Sequence, residues 1–163
     1  MRGLLILLAF CPGTALGQDM VFDPAPTETC LAAAPADLAS CIGHAADACM
    51  LENEMGGTTI GMGFCVSREW EWWDARLNEA YGALMARHRA TDAEAGMNVP
   101  SLAQTLRDMQ RAWITYRDAA CDYERAQWGG GTGGGPATGA CLMRLTGEQA
   151  LALEGRLTML EAQ

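Results

Sequence analysis

The chain has 163 residues, half of them hydrophobic, which is sufficient for one domain with a packed core. Its 20 acidic residues outnumber 11 basic residues, all of them arginine, so the formal net charge is −9. A surface of this charge repels nucleic acids and anionic membranes and attracts cationic proteins. We therefore expect no bound nucleic acid, and solubility alone is sufficient to explain the acidic surface.

The first seventeen residues have the features of a secretory signal peptide. Arg2 is followed by an apolar stretch, residues 4–10, that is too short to cross a bilayer. Residues 15–17 form a small-x-small cleavage site, so we predict cleavage after Gly17 and a periplasmic or secreted protein. Cys11 follows a large phenylalanine, which disfavours a lipoprotein site, and no second hydrophobic span follows.

Export changes the interpretation of the cysteines, because disulfides persist outside the cytosol. Cleavage removes Cys11 and leaves an even number, which predicts three disulfides. The six remaining cysteines are Cys30, Cys41, Cys49, Cys65, Cys121 and Cys141. No C-x-x-C pair is present, and His44 and His88 lack metal-site spacing. We therefore predict no metal and no cofactor.

Residues 18–62 are predicted to form a Cys-rich N-terminal leader and helix. Residues 18–29 contain two prolines and are expected to be extended. Residues 35–50 place apolar side chains at helical spacing, which predicts one helix. That face consists of Leu38, Cys41, Ile42, Ala45 and Cys49. The glycines and threonines of residues 51–63 predict a loop.

Three long helices are predicted within residues 63–163. The first runs from about Phe64 to Arg89 and carries an apolar stripe of Trp70, Trp73, Leu77, Tyr81, Leu84 and His88. The second begins near Pro100, with a stripe of Leu102, Leu106, Met109, Trp113, Tyr116, Ala120 and Tyr123. The third runs from about Thr138 to Leu160, with Leu142, Leu145, Leu153, Leu157 and Leu160.

No segment alternates with the period of a strand. We therefore predict an all-α fold: a small, disulfide-stapled antiparallel bundle of three long helices, with the Cys-rich N-terminal helix against it.

The glycine-rich stretch WGGGTGGGPATGAC, residues 128–141, is predicted to be a closed helical hairpin loop. A phosphate-binding loop is excluded, because the stretch follows a helix and the chain has no lysine. Cys121 and Cys141 flank the turn, and in an antiparallel hairpin they would lie within disulfide reach. Closing a loop of about twenty residues stabilises the fold by about 3 kcal/mol.

For the other two disulfides we favour pairs of cysteines that are neighbours along the chain, which are Cys30–Cys41 and Cys49–Cys65. The pairing of Cys30 with Cys49 and Cys41 with Cys65 is also allowed. A Cys41–Cys49 bridge requires a broken helix, because two turns separate these residues by about 12 Å.

The motif W-x-x-Y-R-D-x-x-C, followed by C-L, resembles the lysozyme inhibitor LprI-like N-terminal domain family of bacterial envelope proteins. The matching residues are Leu106, Gln110, Trp113, Tyr116, Arg117, Asp118 and Cys121, then Cys141, Leu142 and Thr146. Upstream, Asp74, Leu77, Asn78 and Tyr81 are similar to another helix of the family. The resemblance covers roughly residues 65–160 and implies a protein partner, lysozyme.

Two features depart from the family pattern. Gln149 stands where the family usually has an arginine, so an expected charge pair is missing. The segment from Cys30 to Cys65 is longer and richer in cysteine than the common pattern.

Few residues suggest chemistry. Arg117 is expected to pair with a carboxylate in the bundle, and Asp74 is one candidate. Glu69, Glu71 and Asp74 lie among three tryptophans, as glycosidase carboxylates do, but we place both glutamates on the flanks of the stripe. We therefore predict that the protein is not an enzyme.

Trp72 lies opposite the stripe. It is either covered by the N-terminal segment or a candidate partner contact.

These observations together predict an exported, non-catalytic binding module. The resemblance implies inhibition of lysozyme, with acidic residues meeting its basic surface and an aromatic side chain or loop tip filling its cleft. The alternative is an envelope structural or stress protein that has another partner and does not inhibit lysozyme.

Overall fold

The computed structural model describes residues 20–96 and 98–162, so the predicted signal peptide lies outside the described residues. The all-α prediction is confirmed, since all regular elements in these ranges are helical. They are α1 (Ala25–Ala32), a 3₁₀ helix (Leu38–Cys41), α2 (His44–Glu52), α3 (Thr59–Glu94), α4 (Leu102–Ala126) and α5 (Gly134–Glu161). Among them, none is both long and apolar enough to span a membrane.

The long helices α3, α4 and α5 form an up-down-up bundle joined by two short connections. The α3–α5 interface is the most extensive, and Trp73, Leu84 and Leu153 are fully buried in its core. Gly147 permits this close approach, because a Cβ there would lie 2.8 Å from Ile42 Cδ1 and 3.2 Å from Trp73 Cδ2. Helix α5 therefore has no side chain at the point where Ile42 and Trp73 pack against it.

Helix α3 begins at Thr59, earlier than predicted, so the expected loop of residues 51–63 is wrong over residues 59–63. The Thr58 hydroxyl accepts a hydrogen bond from the Gly61 amide at 3.0 Å and caps the first turn. Such a cap compensates for the poor helix propensity of the glycines that follow. The proposed division of the chain after Met62 thus falls inside α3.

The N-terminal segment contains more helix than predicted, and it is interrupted. The extended leader is wrong from Ala25 onward, because the prolines at positions 24 and 26 occupy the start of α1, where a missing amide is tolerated. The single helix over residues 35–50 is also wrong. Gly43 adopts φ +102°, which separates the 3₁₀ helix from α2.

The loop between α4 and α5 is shorter than the glycine content suggests. Helix α5 begins at Gly134, four residues before the predicted start, which leaves residues 127–133 as the connection. Gly129 and Gly130 have positive φ and turn the chain. The Trp128 ring lies against Gly133, where any Cβ would overlap it. The loop is therefore closed over an aromatic ring.

Candidate functional site

Three disulfides connect successive elements of the fold. Cys30–Cys41 joins α1 to the 3₁₀ helix, Cys49–Cys65 joins α2 to α3, and Cys121–Cys141 joins α4 to α5. Their Cα–Cα distances are 5.5, 5.7 and 5.4 Å, which lie within the usual range for a disulfide. These are the pairs that neighbouring cysteines along the chain would form.

Glu69 is fully buried, which contradicts its predicted place on the flank of the stripe. Its Oε1 accepts hydrogen bonds from the Gly43 amide at 2.8 Å, the Thr27 hydroxyl at 3.0 Å and Trp73 Nε1 at 3.0 Å. Its Oε2 accepts one from the Ala46 amide at 2.7 Å. Four donors therefore converge on one buried carboxylate.

This carboxylate holds the N-terminal segment on the bundle. Gly43 is the N-cap of α2 and Ala46 lies in its first turn, whose unpaired amides and dipole favour a negative charge. Thr27 of α1 donates to Glu69 and accepts a hydrogen bond from the Ala45 amide at 3.0 Å. The sequence did not lead us to expect this buried carboxylate, although Glu69 lies four residues before Trp73 and so on the same helical face.

The three tryptophans of α3 have different environments. Trp73 is fully buried, and Trp70 Nε1 donates to Thr146 Oγ1 of α5 at 3.2 Å. Trp72 is half-buried, with its ring centroid 4.7 Å from that of Trp73 at an edge-on angle of 79°. The Arg76 guanidinium lies 4.8 Å from the Trp72 centroid, so one face of that ring is occupied within the fold.

Arg76 also connects α3 to α5, since it forms a salt bridge with Glu154 at 2.9 Å. Asp74 lies near this region but accepts its hydrogen bond locally, from Asn78 Nδ2 at 2.8 Å.

The predicted Arg117–Asp74 pair is wrong. The Arg117 guanidinium packs 5.1 Å from the centroid of Trp113 on its own helix, and it pairs with the adjacent Asp118 at 2.7 Å. A nearby carboxylate on the same helix therefore satisfies the arginine without a contact to α3. The Asp74 carboxylate instead accepts a hydrogen bond from Asn78.

Gln149, at the position where the resemblance leads us to expect an arginine, makes an amide contact. Its Nε2 donates to Gln110 Oε1 at 3.0 Å, and Gln110 is buried between α4 and α5. A neutral pair of side chains thus replaces the expected charge at this position.

Tyr116 and Tyr123 are 61% and 68% exposed, so their prediction as core residues is wrong. The contacts of Gln110 with Gln149 and of Cys121 with Cys141 fix which side of α4 faces α5. The tyrosines lie about 120–140° around the helix from Gln110, since each residue advances by about 100°. The unbroken stripe in the sequence is therefore partly an outer face.

The carboxylates considered for catalysis do not face one another in a cleft. The Glu69 carboxylate already accepts hydrogen bonds from four donors. Glu71 forms an exposed salt bridge with Arg68 at 2.7 Å. Within residues 20–96 and 98–162, no three His, Cys, Asp or Glu side chains are grouped to hold a metal ion.

Asp92 caps the start of α4. Its pKa is lowered, first by a hydrogen bond from the Ser101 hydroxyl at 2.7 Å and then by the amides of Ala103 and Leu102. This partly exposed carboxylate connects the end of α3 to the first turn of α4.

Two curated bacterial proteins are similar to this chain. An uncharacterized 17.7 kDa protein in the puhA 5′ region of Rhodobacter capsulatus is 29% identical over 157 residues, covering 93% of this chain and 92% of the relative. An uncharacterized protein of Rhizobium meliloti (strain 1021) is 32% identical over 90 residues, covering 53% of this chain and 65% of the relative. No solved structure gave a significant match.

The sequence model of the lysozyme inhibitor LprI family matches residues 49–153. That range contains α3, α4, most of α5 and the disulfides Cys49–Cys65 and Cys121–Cys141. It begins inside α2 and leaves α1 and the 3₁₀ helix outside. Since the match extends over more than half of the sequence, this chain belongs to the lysozyme inhibitor LprI family.

Proposed function

We propose that the protein is an exported, non-catalytic binding module that inhibits lysozyme by covering its substrate cleft. The observation that carries this proposal is the family match over residues 49–153, whose name describes a lysozyme inhibitor. The matched helices are stapled by two disulfides, which favours a rigid binding surface over a mobile one.

Charge supports a cationic enzyme as the partner. The net charge of −9 favours encounter with a basic protein, and the effect should fall as salt screens it. The acidic residues would meet basic residues around the cleft, with an exposed aromatic side chain or the closed α4–α5 loop nearest the substrate site.

An oxidising location supports the same proposal. The predicted signal peptide would direct the chain to the periplasm or medium, and three disulfides are typical of proteins that function there. The inhibitor would then meet lysozyme at the cell wall, the substrate that it protects.

Lysozyme activity on a cell-wall suspension tests the proposal. Purified, oxidised protein covering residues 18–163 should slow clearing of the suspension at low ionic strength, and added salt should restore the rate. An unrelated acidic protein of similar size and charge serves as the control for non-specific binding. Undiminished lysozyme activity at low salt with excess protein would contradict the proposal.

A second candidate is an envelope structural or stress protein with another partner. It is favoured by Gln149, which forms a neutral pair with Gln110 where the family usually has an arginine. Capture of a native envelope protein from periplasmic extract, together with no effect on lysozyme, would support this candidate.

A further inference from the structure

The segment from Met20 to Ser67 carries acidic residues and no arginine or lysine. Between Met20 and Ser67 there are six acidic residues and no arginine or lysine, whereas residues 68–162 contain 13 acidic residues and ten arginines. The six are Asp23, Glu28, Asp37, Asp47, Glu52 and Glu54, and all are exposed. Most of the charge imbalance of the described residues therefore lies before α3.

Large apolar side chains are exposed within this same acidic segment. Leu51 is 87% exposed, Ile60 72% and Val21 70%, and Met55 is also exposed. They surround the turn that joins α2 to α3, and each of Asp23, Asp47, Glu52 and Glu54 lies within four residues of one of them in the sequence. We call these eight residues the corner surface.

Hydrogen bonds hold the parts of the corner surface together. The Asn53 side chain accepts a hydrogen bond from the Val21 amide at 3.0 Å and donates one to the Val21 carbonyl at 2.9 Å. The Thr58 hydroxyl donates to the Met55 carbonyl at 2.7 Å. Gly61, next to Ile60, packs so closely on that carbonyl that no Cβ would fit. Val21, Met55 and Ile60 therefore lie around one turn.

The turn is also fixed to the bundle. The Cys49–Cys65 disulfide brackets it, and Glu69 binds the first turn of α2. Asp47 and Leu51 are four residues apart on α2 and so share its outer face. A fixed surface of this kind loses little conformational freedom when a partner binds.

We infer that the corner surface is the docking site for a basic protein, with Leu51 and Ile60 as its apolar contacts. A second copy of this chain would oppose carboxylates with carboxylates, and an anionic membrane would be repelled in the same way. A partner with arginine or lysine around an apolar patch complements both features. This inference rests on the proposed function for the partner's class and adds the surface that binds it.

The first test uses photo-crosslinking of the full exported chain in living cells of the bacterium that encodes it. A benzophenone side chain is placed at Leu51 or at Ile60, and at the exposed Ala119 of α4 as the matched control. We expect adducts with a basic protein, identified by mass spectrometry, from the first two positions and not from Ala119. No specific adduct, an acidic partner or a second copy of this chain would overturn the inference.

The second test compares exposed substitutions in binding to lysozyme. Leu51→Ser with Ile60→Ser should weaken the Kd about tenfold or more, whereas Tyr116→Ser with Tyr123→Ser should change it less than about twofold. A larger loss of affinity from the tyrosine substitutions than from those at Leu51 and Ile60 would contradict the corner surface as the docking site and leave the proposed function intact. A basic adduct from Leu51 in cells without any lysozyme binding would overturn the proposed function alone.

Discussion

The N-terminal segment and the outer half of α4, residues 114–126, both lie at the edge of the bundle, but they are attached to it in different ways. The N-terminal segment binds through a buried carboxylate and two disulfides, one of them internal to the segment and one to α3. The outer half of α4 has one disulfide, and Cys121 is its single buried residue.

The comparison shows that hydrophobic periodicity alone does not identify what is buried. The most regular apolar stripe of the sequence includes Tyr116 and Tyr123, which are exposed. The segment that looked like a leader instead encloses Thr27 and Glu69, both fully buried polar residues. Polar groups are buried where enough donors converge on them, and apolar groups remain exposed where no neighbour covers them.

The largest expected effect concerns Glu69. Glu69→Ala should lower the free energy of unfolding by about 4 kcal/mol, because it leaves several buried donors without an acceptor. Urea denaturation of the oxidised protein measures this loss. Glu71→Ala is the matched control, two residues away in an exposed salt bridge, and should cost less than about 1 kcal/mol. Equal effects of the two substitutions would contradict the role of Glu69 as the acceptor for these buried donors.

Removal of the α4–α5 disulfide should have the next largest effect. Cys121→Ser with Cys141→Ser opens a loop of about twenty residues and should cost about 3 kcal/mol. Because little else in the outer half of α4 is buried, amide hydrogen exchange should accelerate there more than in α3. Uniform acceleration across all helices would show that this half of α4 is better anchored than its burial indicates.

A smaller, pH-dependent effect is expected at the other end of α4. Since the folded pKa of Asp92 is lowered, chiefly by the Ser101 hydroxyl, its ionised form stabilises the fold above the unfolded pKa. This contribution should be lost as pH falls through the folded pKa. The Tm difference between the wild type and Asp92→Ala should therefore be present at neutral pH and shrink in strong acid. A difference that grows with acidity would contradict the cap.

The smallest effect is expected from the outer face of α4. Tyr116→Ser with Tyr123→Ser should change the free energy of unfolding by less than about 1 kcal/mol, because both side chains are mostly exposed. Thermal denaturation beside wild type is the measurement. A loss of several kcal/mol would mean that these rings are packed in solution, and the contrast with the N-terminal segment would disappear.

The fold class and the three long helices could be predicted from sequence because their apolar spacing is consistent over many turns. Helix starts were less predictable, since α3 depends on the Thr58 cap and α5 begins within a glycine run. A helix terminus is decided by a few local hydrogen bonds rather than by a repeating pattern.

The candidate site was less predictable than the fold. Glu69 was expected on the flank of the stripe, but its position four residues before Trp73 places it on the buried face. Arg117 pairs with its neighbour Asp118, which no helical spacing rule would favour. The corner surface combines residues from three segments, and only the Asn53–Val21 hydrogen bonds reveal that two of them meet.

The order of the disulfides has a consequence for biogenesis. The pairs are consecutive and never interleave, with sequence separations of 11, 16 and 20 residues. In the proposed export of the chain, each bond could form as soon as its second cysteine left the translocation channel, before the next pair arrived. We therefore expect oxidation from the N-terminus to favour the native connectivity, with little need for an enzyme that isomerises wrong cross-links.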